Sequence, residues 1–226
     1  MPIFRTKNED FFKKWSPEMA YVLGFFAADG NMSIHSNSGH YIEFTSCDAE
    51  LIRKTRDLLK SNNKLSNRIR SDKQKVAYRI QIGSNTLYKS LLSLGMTPNK
   101  SLTLKFPKIK PSRLKDFIRG YFDGDGCVYL KRHFIKARGK FRWVFQVRFT
   151  SGSRQFLKSL HLLLKTSKIC KGGYLYEKNR GHELVFSHHD GLALFRFMYD
   201  NVPTEMYLER KYNTFQKAFS VLYLGA

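Results

Sequence analysis

Two stretches of this chain carry the same short signature: Val22-Leu23-Gly24-Phe25-Phe26-Ala27-Ala28-Asp29-Gly30 and, 96 residues further on, Ile118-Arg119-Gly120-Tyr121-Phe122-Asp123-Gly124-Asp125-Gly126. Each is an apolar helical run with small residues on one face. Each ends in an acidic residue followed by glycine, and each occurs once per half of the chain. One such Asp-Gly pair would be read as an ordinary helix end followed by a turn. Two copies at equivalent places favour a shared site instead.

Small side chains recur along one face of each predicted helix. Ala20, Gly24 and Ala28 are four residues apart in the first copy, and Asp116, Gly120 and Gly124 keep this spacing in the second. Small residues let two helix backbones approach closely. An interior helix glycine costs up to about 1 kcal/mol relative to alanine, so its presence in both copies indicates that close packing is required. We therefore expect the two helices to pack together and to bring Asp29 next to Asp125.

Two carboxylates held side by side repel each other, and a divalent cation removes that penalty. Oxygen ligands with open positions for water suit Mg²⁺. Beside a nucleic-acid duplex, such ions activate a water molecule and stabilise the leaving 3′ oxygen of a phosphodiester. One carboxylate per half would serve one strand per half, which predicts cleavage of both strands.

The rest of the chain is also duplicated. Phe44-Thr45-Ser46 and Leu58-Leu59-Lys60 recur 105 residues later as Phe149-Thr150-Ser151 and Leu163-Leu164-Lys165. An internal repeat of this kind predicts two pseudo-symmetric halves. Each half is predicted as helix, two strands, helix, two strands, helix, which gives an α+β fold with two αββαββα units. We divide the chain into an N-terminal extension at 1–15, a first half at 16–100, a linker at 101–111 and a second half at 112–226.

The charge of the chain indicates a polyanionic partner. Lys and Arg number 40 against 18 Asp and Glu, which gives a formal net charge of +22 and a pI near 10.0. Nucleic acid is the leading candidate, because the basic residues do not lie on an amphipathic helix that would favour a membrane surface. From Cys127 to Tyr176 there are twelve Lys or Arg residues and no acidic one. We interpret this segment as part of a phosphate-contacting surface.

Residue alternation in the predicted strands separates an apolar face from a face rich in Arg and Gln. A solvated sheet face is the simpler alternative, but Arg and Gln match guanine and adenine edges and also bind phosphate. Antiparallel strands of this kind form a basic ribbon that fits a major groove. The residues that we expect to face DNA are Ser33, His35, Arg68, Arg70, Arg79, Gln81, Lys131, Arg142, Gln146 and Arg148.

Other features indicate an intracellular, soluble protein. Cys47, Cys127 and Cys170 are odd in number and widely separated, which is typical of reduced thiols. The N-terminal segment lacks the apolar core of a signal peptide, and the longest apolar stretch, around Tyr21 to Ala28, is too short to span a bilayer. We expect a protein of an organelle or of the bacterial cytoplasm, with no membrane association and no required protein partner.

The paired signature resembles that of the LAGLIDADG homing endonuclease family in its single-chain, two-motif form. The resemblance extends from about residue 16 to residue 215. It implies antiparallel sheets that form a DNA-binding saddle over the major groove, with the signature helices at the inter-domain interface. It also implies a long, mostly asymmetric target and cleavage across the minor groove that leaves short 3′ overhangs.

The resemblance also implies roles for particular residues. Asp29 and Asp125 match the metal-binding acidic position, with Ala28 and Gly124 beside them as further ligands. Two or three Mg²⁺ ions would lie at the helix interface, where Mn²⁺ or Ca²⁺ could substitute, Ca²⁺ without cleavage. The remaining matches are Lys100 and Lys211 as basic catalytic residues and Ser46 and Ser151 as water-positioning residues. The first acidic residue of the motif is replaced by Ala27 in one copy and kept as Asp123 in the other.

Two other functions remain open from the sequence. An intron maturase would use the same fold and basic surface to assist RNA splicing, and a splicing assay would identify it. A DNA-binding protein that has lost catalysis is the second alternative, although two retained carboxylates argue against it. We interpret Asp190, in His188-His189-Asp190, as the N-cap of a helix that begins near Gly191 rather than as a metal ligand.

Overall fold

The first half has the predicted order of elements. The computed structural model describes residues 5–35, 39–68 and 76–223. In the first half the elements are α1 (Pro17–Asp29), β1 (Gly30–Ile34), β2 (His40–Ser46), α2 (Ala49–Leu58), β3 (Leu65–Arg68), β4 (Ala77–Gly83) and α3 (Asn85–Ser93). The α1 helix starts at Pro17, because the Ser16 hydroxyl accepts a hydrogen bond from the Met19 amide (3.1 Å) and proline is favoured in the first turn.

The second half repeats this order and adds one helix. Its elements are α4 (Leu114–Asp125), β5 (Gly126–Ile135), β6 (Lys140–Ser151), α5 (Arg154–Thr166), β7 (Tyr174–Lys178), β8 (Gly181–Ser187), α6 (His188–Tyr199) and α7 (Glu209–Tyr223). The α7 helix has no counterpart in the predicted αββαββα unit. Pro111–Arg113 forms a short 3₁₀ turn that precedes α4.

The two sheets have the same topology, which confirms the predicted α+β class. Strand order is β1-β2-β4-β3 in one sheet and β5-β6-β8-β7 in the other, and every neighbouring pair is antiparallel. Each sheet buries one face against its helices. The buried residues of this face include Ile42, Phe44, Ile80 and Ile82 in the first sheet and Phe145, Val147, Phe149, Leu184 and Phe186 in the second. The alternating residues lie on the opposite face, away from the helices.

The α1 and α4 helices pack in backbone contact. A Cβ atom added to Gly24 would lie 2.0 Å from the Phe117 carbonyl oxygen, and one added to Gly120 would lie 1.9 Å from the Tyr21 carbonyl oxygen. Neither distance leaves room for any side chain. This arrangement explains why glycine occurs at both positions, and it confirms the predicted close packing of the signature helices.

The bulky aromatic residues of the signatures pack into the core of their own half. Phe25 and Phe26 both contact Phe44 on β2, with ring centroids 5.5 and 5.2 Å apart, and Phe122 contacts Phe149 on β6 at 5.2 Å. Each signature helix therefore contacts the other helix with its small residues and its own sheet with its rings.

The two halves are also joined away from the signature helices. The Lys54 ammonium on α2 donates to the carbonyl oxygens of Thr204 (2.8 Å) and Tyr207 (2.7 Å). The Arg210 guanidinium on α7 binds both carboxylate oxygens of Asp48, at 3.1 and 2.8 Å. These contacts fix the start of α7 against the first half.

The interpretation of Asp190 as an N-cap is wrong. The α6 helix begins at His188, and Ser187 occupies the N-cap position. The Asp190 carboxylate instead accepts hydrogen bonds from the backbone amides of Lys171 (2.8 Å) and Gly172 (2.9 Å). Asp190 therefore holds the loop between α5 and β7 in place. This loop is too distant along the chain for the contact to be predicted from local sequence.

Candidate active site and nucleic-acid interface

The ends of the signature helices meet. Asp29 is the last residue of α1 and Asp125 is the last residue of α4. A Cβ atom on Gly124 would lie 2.5 Å from the Cβ of Ala28 and 3.2 Å from Asp29 Oδ2. The structure thus brings together the four residues predicted as metal ligands.

Both carboxylates lie in an environment that disfavours their negative charge. Burial raises the pKa of Asp29 to about 7, and the nearby charge of Asp125 contributes to this shift. Burial likewise raises the pKa of Asp125, against the opposing charges of Lys211 and Lys100. The negative end of a helix dipole adds a further unfavourable term at each position. A cation placed between the two carboxylates would relieve all of these effects.

Each carboxylate has a buried lysine near it. Lys100 donates to the carbonyl oxygen of Gly30 and lies 5.3 Å from the ring centroid of Phe26. Lys211, on α7, donates to the carbonyl oxygens of Phe122 (2.5 Å) and Asp123 (2.8 Å), with Gly124 at 3.4 Å. Each lysine therefore binds carbonyl groups at the end of the signature helix of its own half, where a positive charge is favourable.

Burial affects the lysines as well as the carboxylates. It lowers the pKa of Lys100 to about 8, against the opposing charges of Asp29 and Asp125. It also lowers the pKa of Lys211 to about 8, against the charge of Asp123. Two acids with raised pKa values and two bases with lowered ones therefore lie at one junction, an arrangement typical of catalytic sites.

Asp123 has a role that the sequence did not reveal. Its side chain is fully buried and accepts hydrogen bonds from the Tyr21 hydroxyl (2.8 Å) and the Leu208 amide (2.9 Å). Asp123 therefore ties α1 of the first half to the residue that precedes α7, the helix that carries Lys211. The first half has Ala27 at this position, so this link exists in one half only.

The two predicted water-positioning serines have local partners. The Ser46 hydroxyl accepts a hydrogen bond from the Asp48 amide (3.2 Å), and the Ser151 hydroxyl accepts one from the Ser153 amide (3.1 Å). Both stabilise the turn that leads into the following helix. A role in positioning water stays a prediction.

The donor set at the helix junction fits a hard divalent cation. Within residues 5–35, 39–68 and 76–223, no group of three or more His, Cys, Asp and Glu side chains is arranged to hold a metal. An ion between Asp29 and Asp125 would thus complete its ligands with backbone carbonyls, water and substrate oxygens. This is how Mg²⁺ is usually bound in sites that act on phosphates.

Most of the residues predicted to face DNA lie on described strands, on the sides of the sheets that face away from the helices. Arg79 and Gln81 alternate with buried residues on β4, as Gln146 and Arg148 do on β6. Ser33 lies on β1, His35 directly after it, Lys131 on β5 and Arg142 on β6. Arg68 ends β3, but its side chain and the whole of Arg70 lie outside the described residues.

Two glutamates also lie among these basic residues, although no sequence pattern indicates a role for either of them. Glu43 on β2 pairs with Arg79 (2.5 Å). Glu183 on β8 pairs with Lys178 (2.5 Å) and lies 3.6 Å from Arg148. Neither glutamate belongs to a local motif, and only the strand register places each beside its arginine.

The chain belongs to the LAGLIDADG-like domain family, whose sequence model matches residues 16–94 and 113–196, one match in each half. This confirms the resemblance on which the sequence interpretation rested.

Solved structures of low sequence identity have the same fold. One is I-SmaMI bound to uncleaved DNA target in the presence of calcium ions, with a TM-score of 0.60, 11% identity and coverage of 92% of both chains. Another is the LAGLIDADG meganuclease I-AabMI bound to uncleaved DNA, with a TM-score of 0.61, 16% identity and coverage of 93% of this chain and 91% of that one. At these identities the likeness is one of fold.

Two curated relatives are proteins of Methanocaldococcus jannaschii. The chain is 32% identical over 178 residues to a probable translation initiation factor IF-2, a match that covers 73% of this chain. It is 26% identical over 134 residues to an uncharacterized protein, covering 56% of this chain. The chain spans only 13% and 44% of the lengths of these relatives. In the part of the chain that the structure describes, no helix is long and apolar enough to cross a membrane.

Proposed function

We propose that this chain is a site-specific DNA endonuclease that uses a divalent metal, Mg²⁺ by preference, to hydrolyse one phosphodiester in each strand of a duplex. The observation that carries the proposal is the meeting of Asp29 and Asp125 at the end of two helices in backbone contact. A pure binding protein gains nothing from two partly buried carboxylates whose pKa values are both raised by burial. A nuclease needs them to hold cations at the scissile phosphates.

The side chains at the junction have separate roles in this proposal. Asp29 and Asp125, with the backbone at Ala28 and Gly124, would hold the divalent cations, which would supply Lewis-acid stabilisation and activation of a water molecule. Lys100 and Lys211 place positive charge beside the phosphate, where negative charge increases as water attacks phosphorus and the bond to the 3′ oxygen breaks. The products are a 3′ hydroxyl and a 5′ phosphate on each strand.

The partner that we propose is double-stranded DNA with a long, asymmetric target. The net charge of +22 and the open sheet faces with Arg79, Gln81, Gln146 and Arg148 support it. Solved relatives of the same fold are complexes with DNA. Family resemblance supports cleavage across the minor groove that leaves short 3′ overhangs. It also supports a soluble, monomeric protein of an organelle or bacterial cytoplasm. Its biological role in this proposal is intron homing.

Selection of a target from a randomised duplex library, followed by cleavage of a plasmid that carries it, tests the proposal. We expect linear product with Mg²⁺ and none with EDTA. Asp29→Asn and Asp125→Asn should each abolish double-strand cleavage while leaving DNA affinity within a few-fold of the wild type. The surface variant Asp200→Asn, whose exposed carboxylate lies at the end of α6, is the matched control and should cut normally.

Two results would contradict the proposal. Full double-strand cutting by either active-site variant would remove the metal assignment. Tight, selective DNA binding by the wild type with no cleavage under any divalent cation would identify a binding protein that has lost catalysis.

A further inference from the structure

The sheets contain two ion pairs at equivalent positions with opposite arrangement. In the first half the acid, Glu43, lies on β2 and the base, Arg79, on β4. In the second half the base, Arg148, lies on β6 and the acid, Glu183, on β8. At this pair of positions, the strand that carries the acid in one half therefore corresponds to the strand that carries the base in the other half.

The strand register shows that the positions are equivalent. In the first sheet Thr45 is the partner of Arg79, and Glu43 lies two residues before Thr45. In the second sheet Thr150 is the partner of Glu183, and Arg148 lies two residues before Thr150. Since β2 corresponds to β6 and β4 to β8 in the common strand order, each pair is the same diagonal contact.

In both pairs the arginine is the more accessible member. The side chain of Arg79 is 29% exposed against 18% for Glu43, and that of Arg148 is 23% exposed against 9% for Glu183. In each pair the glutamate is therefore the more buried partner of an arginine that is more accessible to a ligand. Glu183 lies closer to Lys178 (2.5 Å) than to Arg148 (3.6 Å). Additional contacts restrain Arg148, which donates to Gln146 Oε1 at 2.6 and 3.0 Å and lies 4.0 Å from the ring centroid of Tyr129.

An arginine held in a fixed orientation is well suited to the two acceptors of a guanine edge in the major groove. We infer that Arg79, positioned by Glu43, and Arg148, positioned by Glu183, read guanines at non-equivalent base pairs of the two half-sites. This inference rests on the proposed DNA binding. It identifies one physical source of an asymmetric target, because a palindrome presents the same edges to both halves.

Exchanging the two residues in the first half tests the inference. In the double variant E43R/R79E the arginine moves from β4 to β2, so that the first half acquires the arrangement of the second. We expect the guanine preference of the first half-site to move to the position that mirrors the guanine of the second half-site. The preference at the second half-site should stay unchanged and serves as the internal control.

The readout is the base frequency at each position among duplexes bound from a randomised library in Ca²⁺. A bidentate arginine contact is worth about 1–3 kcal/mol, so the base preference at the affected position should change by about 5- to 150-fold. The variant D10K/K13D exchanges another ion pair (2.6 Å), located outside the sheets, at the same net charge and should select the wild-type target. Thermal melting checks that each variant is folded.

The outcomes separate this inference from the proposed function. If the wild type selects no sequence, the proposed DNA recognition fails. If the wild type selects a target and the folded E43R/R79E variant selects the same guanine position, the pairs are structural and the inference is wrong. Should E43R/R79E not fold, E43Q/R79Q decides: loss of the guanine preference at one first-half position supports the inference, and an unchanged profile overturns it.

Discussion

Asp29 and Asp125 are held where a carboxylate is least stable in the absence of metal. Each is partly buried at the C-terminal end of a helix, and each raises the free energy of the other's charge. We expect such a site to lower the stability of the metal-free fold, and a cation bound between the two carboxylates would restore it. Electrostatic destabilisation of this type is common at functional sites, where the requirements of function and stability conflict.

We predict that the metal-free protein loses stability as pH rises from about 4 to 7. The pKa of Asp29 is 3.8 for the unfolded chain and about 7 in the fold, so the folded state binds the extra proton across this interval. The stability penalty is absent below the first value and complete above the second. Asp29→Asn should remove it and raise the melting temperature at pH 8 in EDTA by on the order of 5 °C. A melting temperature equal to or below that of the wild type would show that the charge is not destabilising.

The two lysines should act on different strands. We predict that Lys100→Met and Lys211→Met each slow cleavage by about 10²-fold, the usual effect of removing one group that stabilises a transition state. Since each lysine lies at the signature helix of its own half, each variant should accumulate nicked plasmid cut in one strand, and a different strand in each case. Sequencing of the nicked product identifies the strand. Equal loss on both strands from either variant would show that the lysines do not serve separate sites.

At the scale of elements, the packing of α1 on α4 depends on two glycines. Helix propensity alone predicts that Gly24→Ala or Gly120→Ala stabilises the protein by about 1 kcal/mol. The structure predicts the opposite, because the added Cβ would lie about 2 Å from a carbonyl oxygen of the other helix (2.0 and 1.9 Å). Overpacking usually costs 1–3 kcal/mol or more, so we expect a loss of at least about 2 kcal/mol in chemical denaturation.

The exposed helical substitution Gln216→Ala is the control for this loss and should change stability by less than about 0.5 kcal/mol. Stabilisation by Gly24→Ala would mean that the helices are not in backbone contact.

The signature helices could be predicted because their information is local. Glycine spacing, the Ser16-Pro17 start and the Asp-Gly end all lie within one short segment, and the duplication doubled the signal. Strand alternation likewise placed the core residues on one face.

Other features depend on distant partners and could not be read from sequence. The Asp190 carboxylate binds a loop 18 and 19 residues earlier in the chain, not its own helix. Asp123 binds Tyr21 and the Leu208 amide, 102 and 85 residues away. Glu43 and Glu183 belong to no local motif, and only the strand register places each beside an arginine.

For the whole molecule, the excess of positive charge determines how affinity depends on salt. With a net charge of +22, most of the DNA-binding energy should come from release of counterions. We predict that the affinity for a selected duplex falls by about 10³- to 10⁵-fold between 50 and 200 mM salt, the range for 6–10 phosphate contacts. Fluorescence anisotropy over a salt series measures this slope. An affinity that does not change with salt would contradict a phosphate-contacting saddle.

Contacts between the two halves position α7 relative to the first half, and in the proposed function this lets one chain act on both strands of a duplex. The contacts of Lys54 with Thr204 and Tyr207 and of Arg210 with Asp48 fix α7, and with it Lys211, against the first half. The site is therefore a property of the assembled molecule and not of either half.

A crystal structure of the DNA complex grown with Mn²⁺, with data collected at the manganese absorption edge, tests the central claim most directly. The account predicts anomalous peaks at the junction of α1 and α4, at about 2.2 Å from carboxylate oxygens of both Asp29 and Asp125. Peaks found only elsewhere, or no peak between these two side chains in a complex with bound DNA, would contradict it.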